Sequence, residues 1–152
     1  MNTALVNQLT EIAVDIFNTV GSGYNEVIYH NAFEVGLRLR GIRYQSEVIV
    51  PIFYNRHNIG HGRIDLLIDN NLIIELKAIG NFNGDTANTQ IKNYMKQYSI
   101  KDGLVINFGQ ANKSNSGELN IRYIFKESET MPVKTFNYTN GSFLENNQMV
   151  IQ

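Results

Sequence analysis

Apolar residues recur every three or four positions at the start of the chain, which is the spacing of an amphipathic helix. The stripe lies within residues 3–19 and consists of Leu5, Leu9, Ile12, Ala13, Ile16 and Phe17. A second helix is predicted from about Asn25 to Arg40, because glycines, which end helices, occur on both sides of it. Its expected buried positions are Val27, Ile28, Ala32, Val35, Leu37 and Leu39.

Strand patterns follow the second helix. Residues 43–54 are rich in β-branched and aromatic types and predict a long strand. Because Pro51 cannot donate a ladder hydrogen bond, we expect this strand to lie at a sheet edge or to be bulged there. Two apolar runs, residues 64–68 and 72–79, then flank an Asp-Asn-Asn turn signal and predict a β-hairpin.

The remaining pattern predicts a helix over residues 86–98 and buried strands over residues 104–108 and 119–125. Weaker patterns at residues 133–138 and 142–144 indicate peripheral strands. The order is thus two helices, three strands, a helix and two strands. We predict a single mixed α/β domain over residues 1–152, with its core at about residues 5–126 and a peripheral extension at 127–152.

Three charged residues interrupt the apolar runs of the hairpin: Asp65, Glu75 and Lys77. Side chains alternate along a strand, so Glu75 and Lys77 share a face, and the turn places Asp65 opposite residue 75 or 76. Two carboxylates a few ångströms apart can hold a hard cation such as Mg²⁺ or Mn²⁺. The alternative is a salt bridge from Lys77 to Asp65 or Glu75.

Composition narrows the class of protein. The chain has 152 residues, 43% of them hydrophobic, which suits one globular domain with a core. It contains no cysteine, which excludes disulfide scaffolds and thiolate zinc sites, and it shows no signal peptide, so we expect a cytoplasmic protein. No apolar run reaches the ~18 residues of a membrane span. The net charge of −1 counts mildly against a pure DNA-binding module.

Five segments occur in the same order as in one known family: residues 23–29 (GYNEVIY), 39–42 (LRGI), 63–67 (RIDLL), 74–77 (IELK) and 90–96 (QIKNYMK). Over about residues 5–126 the chain resembles the GxxExxY protein family of the PD-(D/E)XK nuclease superfamily. The resemblance implies a restriction-endonuclease-like αβββαβ core with an extra N-terminal helix and a C-terminal extension. Ile64 stands where the superfamily motif carries a proline.

By this resemblance the chain is a metal-dependent nuclease, a hydrolase that cleaves phosphodiester bonds of nucleic acid. DNA is the expected substrate, although the sequence itself leaves DNA against RNA open. The resemblance implies that Asp65, Glu75 and the backbone carbonyl of Leu76 bind Mg²⁺ or Mn²⁺. Lys77 would stand near the attacking water. Glu26 would orient the lysine or reach a second metal through water, although its position in a first helical turn also suits the helix dipole.

Three further residues are candidates for the site, Gln90 among the catalytic ones. Gln90 resembles a glutamine that the crossover helix turns toward the site. Arg63 shares a strand face with Asp65 and would contact a phosphate or form a salt bridge to Glu26 or Glu75. Tyr29 is expected to pack or to donate a hydroxyl behind the site. His57 and His61 are predicted to lie at the surface.

Two other functions compete with catalysis. The first is a catalytically inactive nuclease-fold module that binds nucleic acid or a protein partner. The second is an interaction protein that uses the edge strand around residues 44–54, and a homodimer is compatible with either. Endonuclease and exonuclease activity and single- and double-stranded substrates all remain open, and residues 81–85 and 110–117 are candidate specificity loops.

Overall fold

A mixed β-sheet with helices on both faces forms the structure, a computed structural model that describes residues 1–82, 85–110 and 117–146. The helices are α1 (Thr3–Val20), α2 (Glu26–Leu39) and α3 (Asp85–Tyr98). The strands are β1 (Tyr44–Tyr54), β2 (His57–Ile68), β3 (Leu72–Lys77), β4 (Asp102–Asn107), β5 (Asn120–Phe125), β6 (Lys134–Thr139) and β7 (Ser142–Glu145). The predicted order is confirmed. Residues 83–84 and 111–116 of the two candidate loops lie outside the described residues.

The strands of the described chain stand in the sheet in sequence order, from β1 at one edge to β7 at the other. All neighbouring pairs are antiparallel except β3 and β4, which are parallel and are joined through the crossover helix α3. The prediction for Pro51 is confirmed, because β1 is an edge strand and its ladder is also irregular between Ile52 and Phe53. The sheet is therefore the mixed core expected from the pattern.

Two apolar layers sandwich the sheet. Helices α1 and α2 cover one face, where Leu9 and Phe33 pack with strand residues such as Leu66 and Ile74. Helix α3 covers the other face, where Ile91 packs against residues of β2, β3 and β4. Every residue of β4 is buried, as the continuous apolar run predicts.

The predicted buried face of α2 is wrong in four positions: Val27, Ile28, Val35 and Leu39 are exposed, the last to 82%. The buried residues of α2 are Tyr29, Phe33 and Leu37, which recur at exactly the four-residue spacing of one helix face. Apolar residues occur all around this helix, so the spacing alone does not select the face that meets the sheet.

Strand β2 pairs with two partners of very different extent. Its ladder with β3 runs only from Leu66–Ile74 to Ile68–Leu72, whereas its ladder with β1 continues to the hairpin turn at Asn55 and Arg56. Beyond Leu66, strands β2 and β3 separate, and we call this point the fork. Residues 48–64 of β1, the turn and β2 form a two-stranded hairpin that we call the arm.

None of the helices within the described ranges is long and apolar enough to cross a lipid bilayer. The N-terminus of α1 is instead tied to the sheet. The buried Asp102 carboxylate accepts hydrogen bonds from the Tyr123 hydroxyl and from the backbone N–H of Asn2. Burial and the hydrogen bond to Asp102 raise the pKa of Tyr123 above its ordinary value. Tyr123 therefore stays protonated and acts as the donor.

Replacing Tyr123 by phenylalanine should lower the free energy of unfolding by ~1–3 kcal/mol, because the buried Asp102 carboxylate loses a donor. Urea unfolding monitored by circular dichroism measures this change. The matched control is Tyr138→Phe, since Tyr138 packs beside the same aromatic cluster and is only partly buried. Equal effects of the two substitutions would contradict a specific role for the Tyr123 hydroxyl.

Candidate active site

The fork brings Asp65 beside Glu75. The ladder pairs Leu66 with Ile74, so the next residues outward are Asp65 and Glu75, as the turn position predicts. Asp65 Oδ2 accepts a hydrogen bond of 2.7 Å from the backbone N–H of Leu76. This carboxylate thus supplies an acceptor for a strand N–H at the point where the β2–β3 ladder ends.

Glu75 is only 2% exposed, and its Oε1 atom is buried without a hydrogen-bond partner. Burial, together with the negative charge of Asp65, raises the pKa of the Glu75 carboxyl to about 9, while Lys77 opposes the shift. An unpaired carboxylate oxygen is costly in such a place unless a proton or a cation accompanies it. The fork therefore holds two adjacent carboxyl groups that favour uptake of positive charge.

Lys77 lies at the end of β3 and is half-buried. Its charge lowers the pKa of both Glu26 and Glu75, which places the ammonium group near both carboxyls. The ion pairs within 4.0 Å in the described part of the chain do not include one from Lys77. The alternative of a direct salt bridge to Asp65 or Glu75 is therefore wrong.

Glu26 reaches the same site from the first turn of α2. It lines a cavity of about 240 Å³ together with Asp65 and Arg63. Burial raises the pKa of Glu26, and the charge of Asp65 raises it further, against the opposing charges of Lys77, Arg63 and the nearby His30. The structure thus places Glu26 and Asp65 at one cavity and Asp65 beside Glu75, with Lys77 close enough to affect the pKa of both glutamates.

Tyr29 fixes the chain segment that leads into Glu26. Its hydroxyl donates a hydrogen bond of 2.7 Å to the carbonyl of Gly21 and accepts one of 3.2 Å from the N–H of Tyr24. Its fully buried ring stacks on Phe108, with ring centroids 4.3 Å apart. Tyr29 therefore fixes the turn before α2. Its hydroxyl is hydrogen-bonded to backbone atoms of that turn and not to the carboxyl groups.

Arg63 pairs with a residue that the sequence did not suggest. Its guanidinium lies 3.3 Å from Glu47, and both side chains are more than half exposed. The predicted salt bridges to Glu26 or Glu75 are not the ones formed. Glu47 adopts a left-handed backbone conformation with φ +55°, which interrupts the regular pattern of β1 and gave no sequence signal.

Gln90 lies on α3 beside the arm. Its Nε2 atom donates a hydrogen bond of 3.1 Å to the Tyr94 hydroxyl, which also accepts one of 3.1 Å from the backbone N–H of Arg63. Gln90 is therefore linked to the fork through Tyr94 and not through a bond to a carboxylate. The spacing of four between Gln90 and Tyr94 is the signal that could have identified this pair.

His30 is the other residue that the sequence analysis missed. It lines the cavity with Glu26, and its Nε2 atom lies 2.7 Å from Ser46 Oγ and 3.3 Å from Glu34. His30 lies one helical turn after Glu26 and therefore on the same face of α2. This spacing is the sequence signal that could have identified it. His57 and His61 are exposed, as predicted.

The carboxyl groups at the fork could bind a hard cation only together with backbone carbonyl oxygens or water. Within the described ranges, no three histidine, aspartate or glutamate side chains converge into a metal-binding group. Asp65 and Glu75 supply adjacent carboxyl groups, one of them with the unpaired Oε1 atom. Oxygen ligands of this kind suit Mg²⁺ or Mn²⁺, which usually bind one or two carboxylates and keep several waters. The carbonyl of Leu76 stays a predicted third ligand.

Comparison with known proteins adds one finding. A family model described as the PD-(D/E)XK nuclease superfamily matches residues 3–119 of the chain. No curated protein matches the chain, and no solved structure does. The matched residues include α1, α2, the fork and α3. The narrower assignment to the GxxExxY group stays a prediction.

Replacing Glu75 by glutamine should flatten the pH dependence of stability in the metal-free protein. Between the ordinary pKa of 4.5 and about 9, the unfolded carboxyl is ionised while the folded one keeps its proton. Unfolding then releases a proton, so the free energy of unfolding falls as pH rises, by up to ~1.4 kcal/mol per pH unit. Urea unfolding across the neutral range in EDTA measures the slope.

The matched control for this change is Glu127→Gln, which removes an exposed carboxylate paired at 4.0 Å with Lys101. This variant should keep the pH dependence of the original chain. A variant Glu75→Gln that also kept it would show that Glu75 is ionised in the folded state.

Replacing Tyr29 by phenylalanine should lower the free energy of unfolding by ~1–3 kcal/mol, because the carbonyl of Gly21 and the N–H of Tyr24 lose their partner. Faster amide hydrogen exchange should be concentrated in residues 21–26. The control Tyr24→Phe alters an exposed ring on the same turn and should leave exchange unchanged. Uniformly faster exchange throughout α2 would instead indicate a general packing defect.

Proposed function

The chain belongs to the PD-(D/E)XK nuclease superfamily, and from that premise we propose that it is a metal-dependent nuclease that hydrolyses phosphodiester bonds, with DNA as the proposed substrate. The observation that carries the proposal is the buried carboxyl pair at the fork, where Glu75 Oε1 has no partner and Lys77 lies close by. A fork that served only stability would gain by pairing or replacing these groups.

The metal would be held by Asp65, Glu75 and the backbone carbonyl of Leu76, with Glu26 reached through water. Both carboxyls are largely withdrawn from solvent, so a cation between them would replace the proton that burial favours on Glu75. When bound, the divalent cation supplies Lewis-acid activation of the scissile phosphate and of the attacking water. The orphaned oxygen of Glu75 supports this arrangement.

The protein side chains supply charge and orientation. Lys77 holds its ammonium group beside the carboxyl pair, where it stabilises negative charge that develops on the attacking and phosphate oxygens. The charge of Lys77 acts on the Glu26 carboxyl, so Glu26 would keep that ammonium directed toward the fork. Arg63 lines the same cavity with an exposed guanidinium, which can exchange Glu47 for a phosphate oxygen of the substrate.

The test is cleavage of labelled DNA and RNA by the purified protein in Mg²⁺ or Mn²⁺. Asp65→Asn and Lys77→Ala should each reduce cleavage by at least ~100-fold, because the first removes a metal ligand and the second a transition-state charge. The matched control is Asp69→Asn at the turn of the same hairpin, where the carboxylate pairs with Arg43. This control should cleave normally, and RNA should be the poorer substrate.

Metal binding is measured separately by thermal unfolding. Mn²⁺ should stabilise the original chain, by about 2.7 kcal/mol at 100 times its dissociation constant, and should not stabilise Asp65→Asn. Full cleavage by Asp65→Asn would overturn the proposed site. Absence of both cleavage and metal-dependent stabilisation in the original chain would instead favour the catalytically inactive module.

A further inference from the structure

The arm extends the β-sheet past the fork into solvent. Its strands pair with each other from Val48–Ile64 to Tyr54–His57, whereas β3 pairs with β2 only as far out as Leu66. The nine residues from His57 to Asp65 span ~26 Å of extended strand. The outer part of the arm therefore lies well beyond the carboxyl groups and yet belongs to the same strand as Asp65.

The charge of the arm differs from that of the whole chain. The protein has 14 acidic and 13 basic residues, but residues 48–64 contain no aspartate or glutamate. The arm carries Arg56 and Arg63, and two of the three histidines, His57 and His61. A segment with cationic side chains and no acidic ones attracts a polyanion, whatever the net charge of the rest.

The arm also exposes large apolar side chains, which a solvated hairpin would not need. Phe53 is 58% exposed, and the set further includes Ile49, Ile52, Tyr54 and Ile59. Exposed aromatic rings next to cationic groups are the combination that binds unpaired bases, since the ring stacks on the base while the cations contact the phosphates.

The strand register sorts these side chains onto two faces. Ile49 pairs with Arg63, Pro51 with His61, and Phe53 with Asn58. His61, paired with Pro51, lies on the face of Arg63. The ladder shifts after Ile52, but the extra residue is Ile59 in β2, so alternation along β1 still places Phe53 on the face of Ile49 and Pro51. Arg63 in turn lines the cavity of Asp65 and Glu26. This face, which we call the site-side face, runs from the carboxyl groups to the tip of the arm.

We infer that the site-side face of the arm binds a single-stranded segment of nucleic acid and leads it into the fork, with Phe53 stacking on an unpaired base and Arg56 contacting phosphates at the tip. The inference rests on the proposed nuclease function and specifies its substrate as one with unpaired bases. A second copy of the chain suits the arm less well, because two arms without acidic residues would repel each other.

Fluorescence anisotropy in EDTA, where cleavage does not occur, measures binding of labelled oligonucleotides of about 16 nucleotides. Phe53→Ser should weaken binding of the single strand about tenfold or more and should change duplex binding less, since only unpaired bases stack. The matched control is Tyr54→Ser, which removes a similarly exposed aromatic ring from the neighbouring position, paired with His57 on the opposite face. Phe53→Tyr keeps a stacking ring and should retain affinity.

Equal affinity of Phe53→Ser and the original chain for the single strand would overturn the inference, as would equal losses in Phe53→Ser and Tyr54→Ser. Dissociation of a dimer in Phe53→Ser, with unchanged affinity for nucleic acid, would assign the face to a second copy. Urea unfolding checks that each variant folds. Failure of the proposed nuclease function would give a different result. The arm would then bind the single strand normally, but the original chain would cleave nothing in Mg²⁺ or Mn²⁺.

Discussion

Burial of the Glu75 carboxyl at a point where two strands part is the constraint on which the site depends. The β2–β3 ladder ends at Leu66 and Ile74, and the Asp65 carboxylate takes the place of the next strand partner. Asp65 accepts a hydrogen bond from the backbone N–H of Leu76 at this point, so that donor keeps a partner where the ladder ends. The same contact fixes the Asp65 carboxylate beside Glu75.

Two tyrosines fix backbone segments near the fork from opposite sides of the sheet. Tyr29 fixes the turn that delivers Glu26, while Tyr94 accepts the backbone N–H of Arg63 just outside the separation. Each tyrosine packs its ring in one core layer and forms hydrogen bonds with backbone atoms through its hydroxyl. The glycine, glutamate and tyrosine of the first motif thus have separate physical duties: Gly23 adopts a positive φ of +105°, Glu26 enters the site, and Tyr29 anchors the turn.

The hairpin and its register were predictable because they follow from local rules. A turn at residues 69–71 sets the register of the hairpin, and that register places Asp65 beside Glu75. The buried face of α2 was not predictable, since apolar residues surround the helix and only tertiary packing selects Tyr29, Phe33 and Leu37. The pairing of Arg63 with Glu47 likewise depends on an irregular backbone conformation in another strand, which residue types do not encode.

Acidic and cationic side chains are separated along β1 and β2, so the net charge of the whole chain does not describe the charge of the arm. Glu47 and Asp65 close the inner end of the arm, whereas residues 48–64 between them carry arginine and histidine but no acidic residue. A net charge of −1 would disfavour a nucleic-acid partner if charge were spread evenly. Because acidic groups collect at the site and cationic groups on the arm, the average hides two opposite local fields. An enzyme that binds phosphate through a metal and through an extended cationic hairpin needs no overall excess of lysine and arginine.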